Sequence, residues 1–295
     1  MTIAATSRQN QTDIPRPRGE DAETVLERLL RTKGGTTITV CLPTYNHAHT
    51  VGPIVHEIAQ HLVRECRLVD EVLVVDGGST DDTCDEAAAA GATVLLAADA
   101  FSEFGEPVGH GDLLWRAVGS ASGDIVVWVD PDLTSFSADY VVRLVEPLML
   151  DDDVVLVRGT ARKGYHARAA RVGVAEAVAR PVLTLLDPEF SSLREPFTGE
   201  YAGRRDALRS VAFEPDHGVE IGLLVDLAKQ YGAHAVREVE IGDRDHRYRS
   251  SAERARQTRQ MLRAALSRAG TSSVRGALPL RPAHDDLRRL EEGAL

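Results

Sequence analysis

The chain has 295 residues, a mass of 32.0 kDa and 43% apolar residues, enough to bury a sizeable core in one large domain or two small ones, which excludes wholesale disorder. A net charge of −11 and a pI near 5.4 argue against a general nucleic-acid binder. Of the 34 basic residues only Lys33, Lys163 and Lys229 are lysine, so recognition of phosphate falls to arginine or to backbone amides.

No apolar run reaches the roughly 18–20 residues of a membrane span, and the N-terminal sequence has no hydrophobic stretch of the secretory kind. Cys41, Cys66 and Cys84 are spaced neither as a disulfide framework nor as a zinc cluster. A cytoplasmic protein with packed thiols is expected.

Residues 1–18 are polar, carry Pro15 and Pro17, and read as a disordered arm. Apolar residues at helical spacing over 20–32 predict a helix ending at Gly34-Gly35. TTITVCLP (36–43) is β-branched and predicts a strand. A helix over 51–63 follows, then EVLVVD (71–76), an unbroken apolar run typical of a strand buried on both faces. After GGSTDD comes a helix over 82–90, a strand over 92–98, a glycine-containing loop over 99–111, a helix over 112–121 and a strand, DIVVWVD, over 124–130. Alternating strands and helices predict a mainly parallel sheet with helices on both faces.

The second half is mixed. A strand at 154–159 leads into the basic loop TARKGYHARAAR. A helix at 173–186 precedes a turn at 196–204 that opens a strand or short helix. An amphipathic helix at 219–232, a strand at 235–243 and a helix at 252–268 follow, and 270–295 reads as weakly ordered.

In parallel α/β sheets ligands sit beyond the carboxyl ends of the strands. Three such ends deliver polar groups here: Thr44 to His47, Asp76 to Asp82, and Asp130 with Asp132. Two carboxylates one residue apart can face one hard cation, Mg²⁺ or Mn²⁺, or can form a solvated turn or helix cap. His246 in DRDHRYR (243–249) offers an imidazole ligand or an ordinary surface histidine, and Arg244, Arg247 and Arg249 around it suit a diphosphate. Asp76 and Ser79 open either a nucleotide contact or a capped βα turn. Gly109, His110 and Gly111 precede a helix, as an anion site or a hinge. Glu200 and Glu220 each stand beside a glycine, and Glu220 opens a helix where the dipole alone accounts for a carboxylate.

Taken together, LPTYNHAHTVGPIV, VVDGGSTDDT and VVWVDPDL, in that order, resemble the N-terminal half of nucleotide-sugar glycosyltransferases of the GT-A fold. GHGDLLWRA, EAVARPVL, TGEYAGRRDAL, HGVEIGLLVD and IGDRDHRYR resemble the glucosyl-3-phosphoglycerate synthase family, whose members retain anomeric configuration; the likeness spans about residues 36–268.

The resemblance implies a GT-A (Rossmann-like) α/β fold, a mainly parallel sheet flanked by helices with a mixed α+β acceptor region. The glycosyltransferase domain runs over 19–268, its nucleotide-sugar half 36–135 and its acceptor half 136–268, followed by a tail at 269–295. It implies Pro43, Thr44, Tyr45, Asp76 and Ser79 at the nucleotide, Gly109, His110 and Asp130 at the donor, and Asp132 with His246 at a Mg²⁺ or Mn²⁺ ion. Glu220 falls near the transferred sugar and Arg244 near the phosphates. Gly173, Glu200, Glu220 and Tyr248 fall on the acceptor side. Partners implied are a UDP- or GDP-hexose, a small-molecule acceptor and a second copy of the chain as homodimer, with neither nucleic acid nor membrane.

Four departures stand out. His47 replaces a glutamate, and His110 replaces a lysine that meets the donor. Val172, Gly173, Val174 and Ala175 replace a glycine-arginine-x-threonine run that grips the acceptor's phosphate and carboxylate. Tyr248 replaces an asparagine. Losing a charged partner of a buried phosphate costs on the order of 3–5 kcal/mol. The expectation is therefore transfer of glucose or a related hexose to an acceptor other than 3-phosphoglycerate, such as a secondary-metabolite intermediate. Alternatives are a true glucosyl-3-phosphoglycerate synthase, a nucleotidyltransferase, or a non-catalytic paralogue that binds nucleotide sugar.

Overall fold

A computed structural model describes residues 21–161, 174–195, 198–245, 250–270 and 278–291. The N-terminal arm expected over 1–18 and the greater part of the basic loop after 160 lie outside the described residues.

The chain runs α1 (Ala22–Thr32), β1 (Ile38–Thr44), α2 (Ala48–Ile58, prolonged by a π-helical segment Ala59–Glu65), β2 (Glu71–Asp76), α3 (Thr83–Ala90), β3 (Thr93–Leu96), α4 (His110–Ser120) and β4 (Ile125–Trp128). It continues with α5 (Asp139–Leu150), β5 (Leu156–Ala161), α6 (Val174–Leu186), β6 (Tyr201–Arg204), α7 (Arg205–Arg209), α8 (Val219–Tyr231), β7 (Val236–Gly242), α9 (Ser251–Arg268) and α10 (His284–Glu291).

The strands form one seven-stranded sheet in the order β3-β2-β1-β4-β6-β5-β7. β3, β2, β1 and β4 are mutually parallel, β5 and β7 are parallel, and β6 runs antiparallel between β4 and β5. The expected mainly parallel GT-A sheet is therefore present, with β6 as its one reversed strand.

The strand residues alternate between two cores, as the two-residue period of a strand requires. Ile38, Val40 and Leu42 of β1, Val72 and Val74 of β2, and Ile125 and Val127 of β4 face α1, α2 and α5. Cys41, Leu73, Val75, Val126 and Trp128 face the other way, onto α4 and α8. Covering both faces explains why these strands read as unbroken apolar runs.

Two helices do not follow from the sequence reading. α5 carries six apolar residues in the core, Tyr140, Val141, Val142, Leu144, Val145 and Leu148, and ends over Pro147. The tail expected to be weakly ordered instead docks at 278–291. Arg281 exchanges two backbone hydrogen bonds of 2.9 Å with Phe213, and the Trp115 indole donates to the Pro282 carbonyl at 2.8 Å. Arg281 also forks onto Asp112 of α4 at 2.6 and 2.9 Å, beside Arg116, whose Nε donates to the same carboxylate at 3.2 Å. The His284 ring stacks on Trp115 with centroids 4.7 Å apart. The C-terminal segment thus fixes α4, the helix whose first turn enters the cleft described below.

Burial lowers the pKa of His284 from 6.5 to about 4, because the packed ring resists protonation. Between those values the unfolded chain binds a proton that the folded chain refuses, so stability falls as pH drops from 6.5 towards 4. Urea unfolding across that window will show a loss of roughly 2–3 kcal/mol from this group. His284→Phe, which keeps the aromatic stack and cannot titrate, is expected to flatten the slope; an unchanged slope would remove His284 as its source.

Candidate active site

The carboxyl ends of β1, β2 and β4 open onto one cavity of about 1590 Å³, walled on the far side by α9. Its lining includes Pro43, Thr44 and Tyr45 after β1, Asp130 and Asp132 after β4, and Glu220 at the start of α8. The strand-end rim expected from the sequence opens onto this cavity through Thr44, Tyr45, His47, Gly77, Asp130 and Asp132, while Asp76 and Ser79 are not in its lining.

Two clasps shape the β1 and β2 ends. Asn46 sits in the left-handed region at φ 58°. Its amide donates to Ser79 Oγ at 2.8 Å, and its side-chain oxygen accepts from the Thr80 amide at 2.8 Å. Asp76 is buried and accepts from the amides of Gly78 (2.9 Å) and Ser79 (2.8 Å), from the Ser79 hydroxyl and from Thr44 Oγ1 (3.2 Å). Its carboxylate thus organises the turn, while Gly77 and Thr44 reach the cavity wall. Tyr45 is exposed at the mouth.

Asp130 and Asp132 are both buried at the cavity wall. Asp130 packs against Gly199, where a Cβ would fall far inside contact distance of the carboxylate. The loop beyond Asp132 is stapled to the end of β7. The Thr134 amide and hydroxyl donate to the Asp245 carbonyl at 2.8 and 3.0 Å, and the Asp245 amide donates to Ser135 Oγ at 2.9 Å. The described chain thus arrives beside the Asp132 loop at Asp245. His246, Tyr248 and Gly173 lie outside the described residues. Among the described residues no three His, Cys, Asp or Glu side chains are grouped to hold a metal ion.

Glu220 reaches the cavity from the first turn of α8, and its Oε2 accepts from the Thr198 amide at 3.0 Å. Beneath it lie Arg158 and Tyr201, both buried. Burial pushes the Arg158 guanidinium below its ordinary range, against the pull of Glu238 and Glu220. Burial, with Glu220 and Asp130 adding negative potential, drives the Tyr201 phenol well above its ordinary value. Tyr201 therefore stays neutral at the floor of the site.

Arg244 also lines the cavity, but its guanidinium is held by carboxylates. Nη1 donates to Glu200 at 2.7 Å and to Thr198 Oγ1 at 2.6 Å, and Nη2 pairs with Glu195. Burial opposes its charge, and Glu200 with Glu195 more than offset that, so it titrates above its ordinary range. Glu200, assigned to the acceptor side by the resemblance, is 0% exposed and spends its Oε2 on Arg244 and Thr198. It positions Arg244 and does not reach the cavity.

The glycines around His110 have a packing cause. A Cβ at Gly111 would overlap the Glu214 and Asp216 carbonyls, and the Asp112 amide donates to the Pro215 carbonyl at 3.0 Å. The first turn of α4 is thereby pressed onto 214–216. His110 stacks on His217, centroids 4.9 Å apart and planes within 15°. His217 is in turn held by Gln260 (3.2 Å) and Gln257 (3.0 Å) of α9. His217, Gly199 and the α9 wall were not singled out in the sequence. Gly199 beside Glu200 was the one available signal, and its meaning depends on Asp130 being opposite.

Residues 39–171 match the family described as glycosyl transferase family 2. Glucosyl-3-phosphoglycerate synthase of Mycolicibacterium smegmatis is 42% identical over 245 residues, covering 81% of this chain and 80% of that one. Among solved structures, glucosyl-3-phosphoglycerate synthase from Mycobacterium tuberculosis in complex with Mn²⁺, UDP-glucose and phosphoglyceric acid superposes with a TM-score of 0.82 at 36% identity, over 93% of this chain and 98% of that one. The same enzyme with Mg²⁺ and UDP gives a TM-score of 0.80 at 36% identity, over 92% and 98%.

Gly199→Ala would drive the Asp130 carboxylate from its place. Sugar-transfer turnover is expected to fall about 10²-fold, with the far-UV circular dichroism spectrum unchanged. A loss of less than twofold would show that the position of Asp130 does not govern the reaction.

Proposed function

Because the chain belongs to the glucosyl-3-phosphoglycerate synthase family of glycosyltransferases, we propose that it transfers the glucosyl group of UDP-glucose to the free hydroxyl of 3-phosphoglycerate with retention of configuration. The observation that carries this reading is the meeting of Asp130, Asp132 and Glu220 on one cavity at the strand ends, in a chain 42% identical to such a synthase. The comparisons favour this acceptor over the changed one expected from the sequence. That expectation rests on Val172 to Ala175, and the described residues give no side-chain account of that run.

The hard carboxylate of Asp132 on the cavity wall suits Mg²⁺ or Mn²⁺, and His246, one residue past Asp245, is the second ligand we assign. A bound cation would offset the charge that develops on the leaving diphosphate. The chain's own residues do the positioning. Thr44, Tyr45 and Gly77 receive the nucleotide above the Asp76 turn. Asp130, fixed by Gly199, and Glu220, fixed by the Thr198 amide, flank the sugar.

In the reaction the anomeric C–O bond to the diphosphate breaks as the acceptor oxygen bonds to the same face. The acceptor's proton passes to the departing phosphate oxygen, so no protein base is required. Arg244, paired with Glu195 and Glu200, braces the 198–200 turn that sets Asp130 and Glu220 beside the sugar. Among the described residues no helix is long and apolar enough to cross a membrane. A homodimer, implied by the family, belongs to the proposal.

Incubation with UDP-glucose, Mn²⁺ and 3-phosphoglycerate should yield UDP and an α-linked glucosyl product, read by mass spectrometry and proton NMR. Turnover of an uncharged acceptor with none of 3-phosphoglycerate would overturn the acceptor, and a β-linked product would overturn retention. Asp132→Asn is expected to lower turnover at least about 10³-fold and to abolish its metal dependence. Undiminished activity would remove the metal assignment.

A further inference from the structure

The proposed acceptor carries a phosphate and a carboxylate, and something in the cavity must answer that charge. The cavity is otherwise acidic, lined by Asp130, Asp132, Asp216, Glu220 and Glu253 in a chain of net charge −11. Five arginines line it: Arg254, which has interactions of its own, and four that fall into two groups. Arg244 is held by Glu195 and Glu200. Arg263 is held by Glu214 at 3.1 Å and Asp216 at 2.9 Å. Both are buried, and their charge is already answered.

Arg256 and Arg259 differ. Both lie on α9, both line the cavity, and both are exposed. Among the described residues neither has a carboxylate partner. Arg256, Arg259 and Arg263 are spaced i, i+3 and i+7, which places them on one face of the helix. The inner member of this stripe closes on Asp216 at the cavity floor, so the outer two climb its wall by one and two turns.

The wall is fixed in place. Ser250 and Glu253 form a capping box at the start of α9. Gln257 and Gln260 grip His217, three residues before Glu220, and Gly218 packs on Ala264. α6 runs against α9; the sequence from 172 to 179 carries neither lysine nor arginine, and Arg180 of α6 donates to the Leu193 and Arg194 carbonyls. Among the described residues, the uncommitted positive charge on this side of the cavity therefore comes from α9.

We propose that Arg256 and Arg259 form the anion-binding site for the acceptor, one guanidinium to the phosphate and the other to the carboxylate. Planar guanidinium forks suit both oxyanions. The pair also determines specificity, since an uncharged acceptor would leave it without a counter-ion. This assignment rests on the acceptor reading above.

The test compares wild type with Arg256→Gln/Arg259→Gln. Both positions are exposed, so the double variant is expected to fold, which its melting temperature checks. KM for 3-phosphoglycerate should rise about 10–100-fold, the worth of one or two charged hydrogen bonds, while kcat and KM for UDP-glucose stay within about twofold, the range expected when binding shared by ground and transition states is lost. Arg256→Lys/Arg259→Lys should recover part of the loss. An unchanged acceptor KM would overturn the assignment.

A second measurement does not depend on turnover. Inorganic phosphate is titrated calorimetrically into protein loaded with UDP and Mn²⁺. Binding in the wild type that is lost in the double variant supports the arginine pair even if 3-phosphoglycerate proves not to be the acceptor. Equal binding by both proteins, or binding by neither, overturns it.

Discussion

The candidate site depends on a buried ion cluster in which one guanidinium holds two carboxylates. Arg244 follows β7, Glu195 precedes β6, and Glu200 sits at the β6 start beside Thr198. The cluster joins the last strand of the sheet to the one reversed strand, and everything on the 198–200 turn inherits its position. Gly199 is set against Asp130, and the Thr198 amide is aimed at Glu220. A buried pair of this kind contributes little net stability, because desolvating the charges costs about as much as their attraction returns. Removing one partner is what costs. Its role here is placement: two of the cavity's carboxylates are located through it.

A second anchor acts from the other face. Asp112 is fully buried in α4 and is answered by Arg116 within the helix and by Arg281 from the C-terminal segment. Arg116 also donates to the Ala97, Ala100 and Gly105 carbonyls, tying the loop after β3 to the same point. The first turn of α4, with His110, is therefore set by residues far away in sequence. This makes the C-terminal segment part of the site's support, although none of its described ordered contacts reaches the strand-end carboxylates directly.

Most of the sheet was legible because its strands are covered on both sides, which selects β-branched runs such as ITV and VLVV that local sequence displays. α5 was not, because DYVVRLVEPLML mixes three valines with a proline, a composition that suits a buried strand locally; only its place as the crossover between β4 and β5 makes it a helix. α10 was missed for the opposite reason. HDDLRRLE is nearly all polar, and what holds it is the stacking of His284 on Trp115, a contact no period reveals. At the site, the strand-end carboxylates were legible since a strand's end is a place in the fold. Glu200 was not, since a carboxylate beside a glycine can face a cavity or a core. Here the pairing of Tyr201 with Trp128 fixes the start of β6 and leaves Glu200 beneath the wall.

The same distinction between committed and uncommitted charge runs along α9. Arg263 and Arg268 neutralise Glu214, Asp216 and Asp226, and so attach the helix to the α8 side of the molecule. Each of these pairs is buried or half-buried and is consumed by packing. Arg256 and Arg259 lie nearer the start of the same helix, on the cavity wall, where no carboxylate meets them among the described residues. The cavity is thereby polarised, acidic at the strand ends and basic along α9. Under the proposed transfer, a divalent cation with its nucleotide would be drawn to the first side and an anionic acceptor to the second. The two substrates of the proposed transfer are thus separated by charge before any contact specific to either is made.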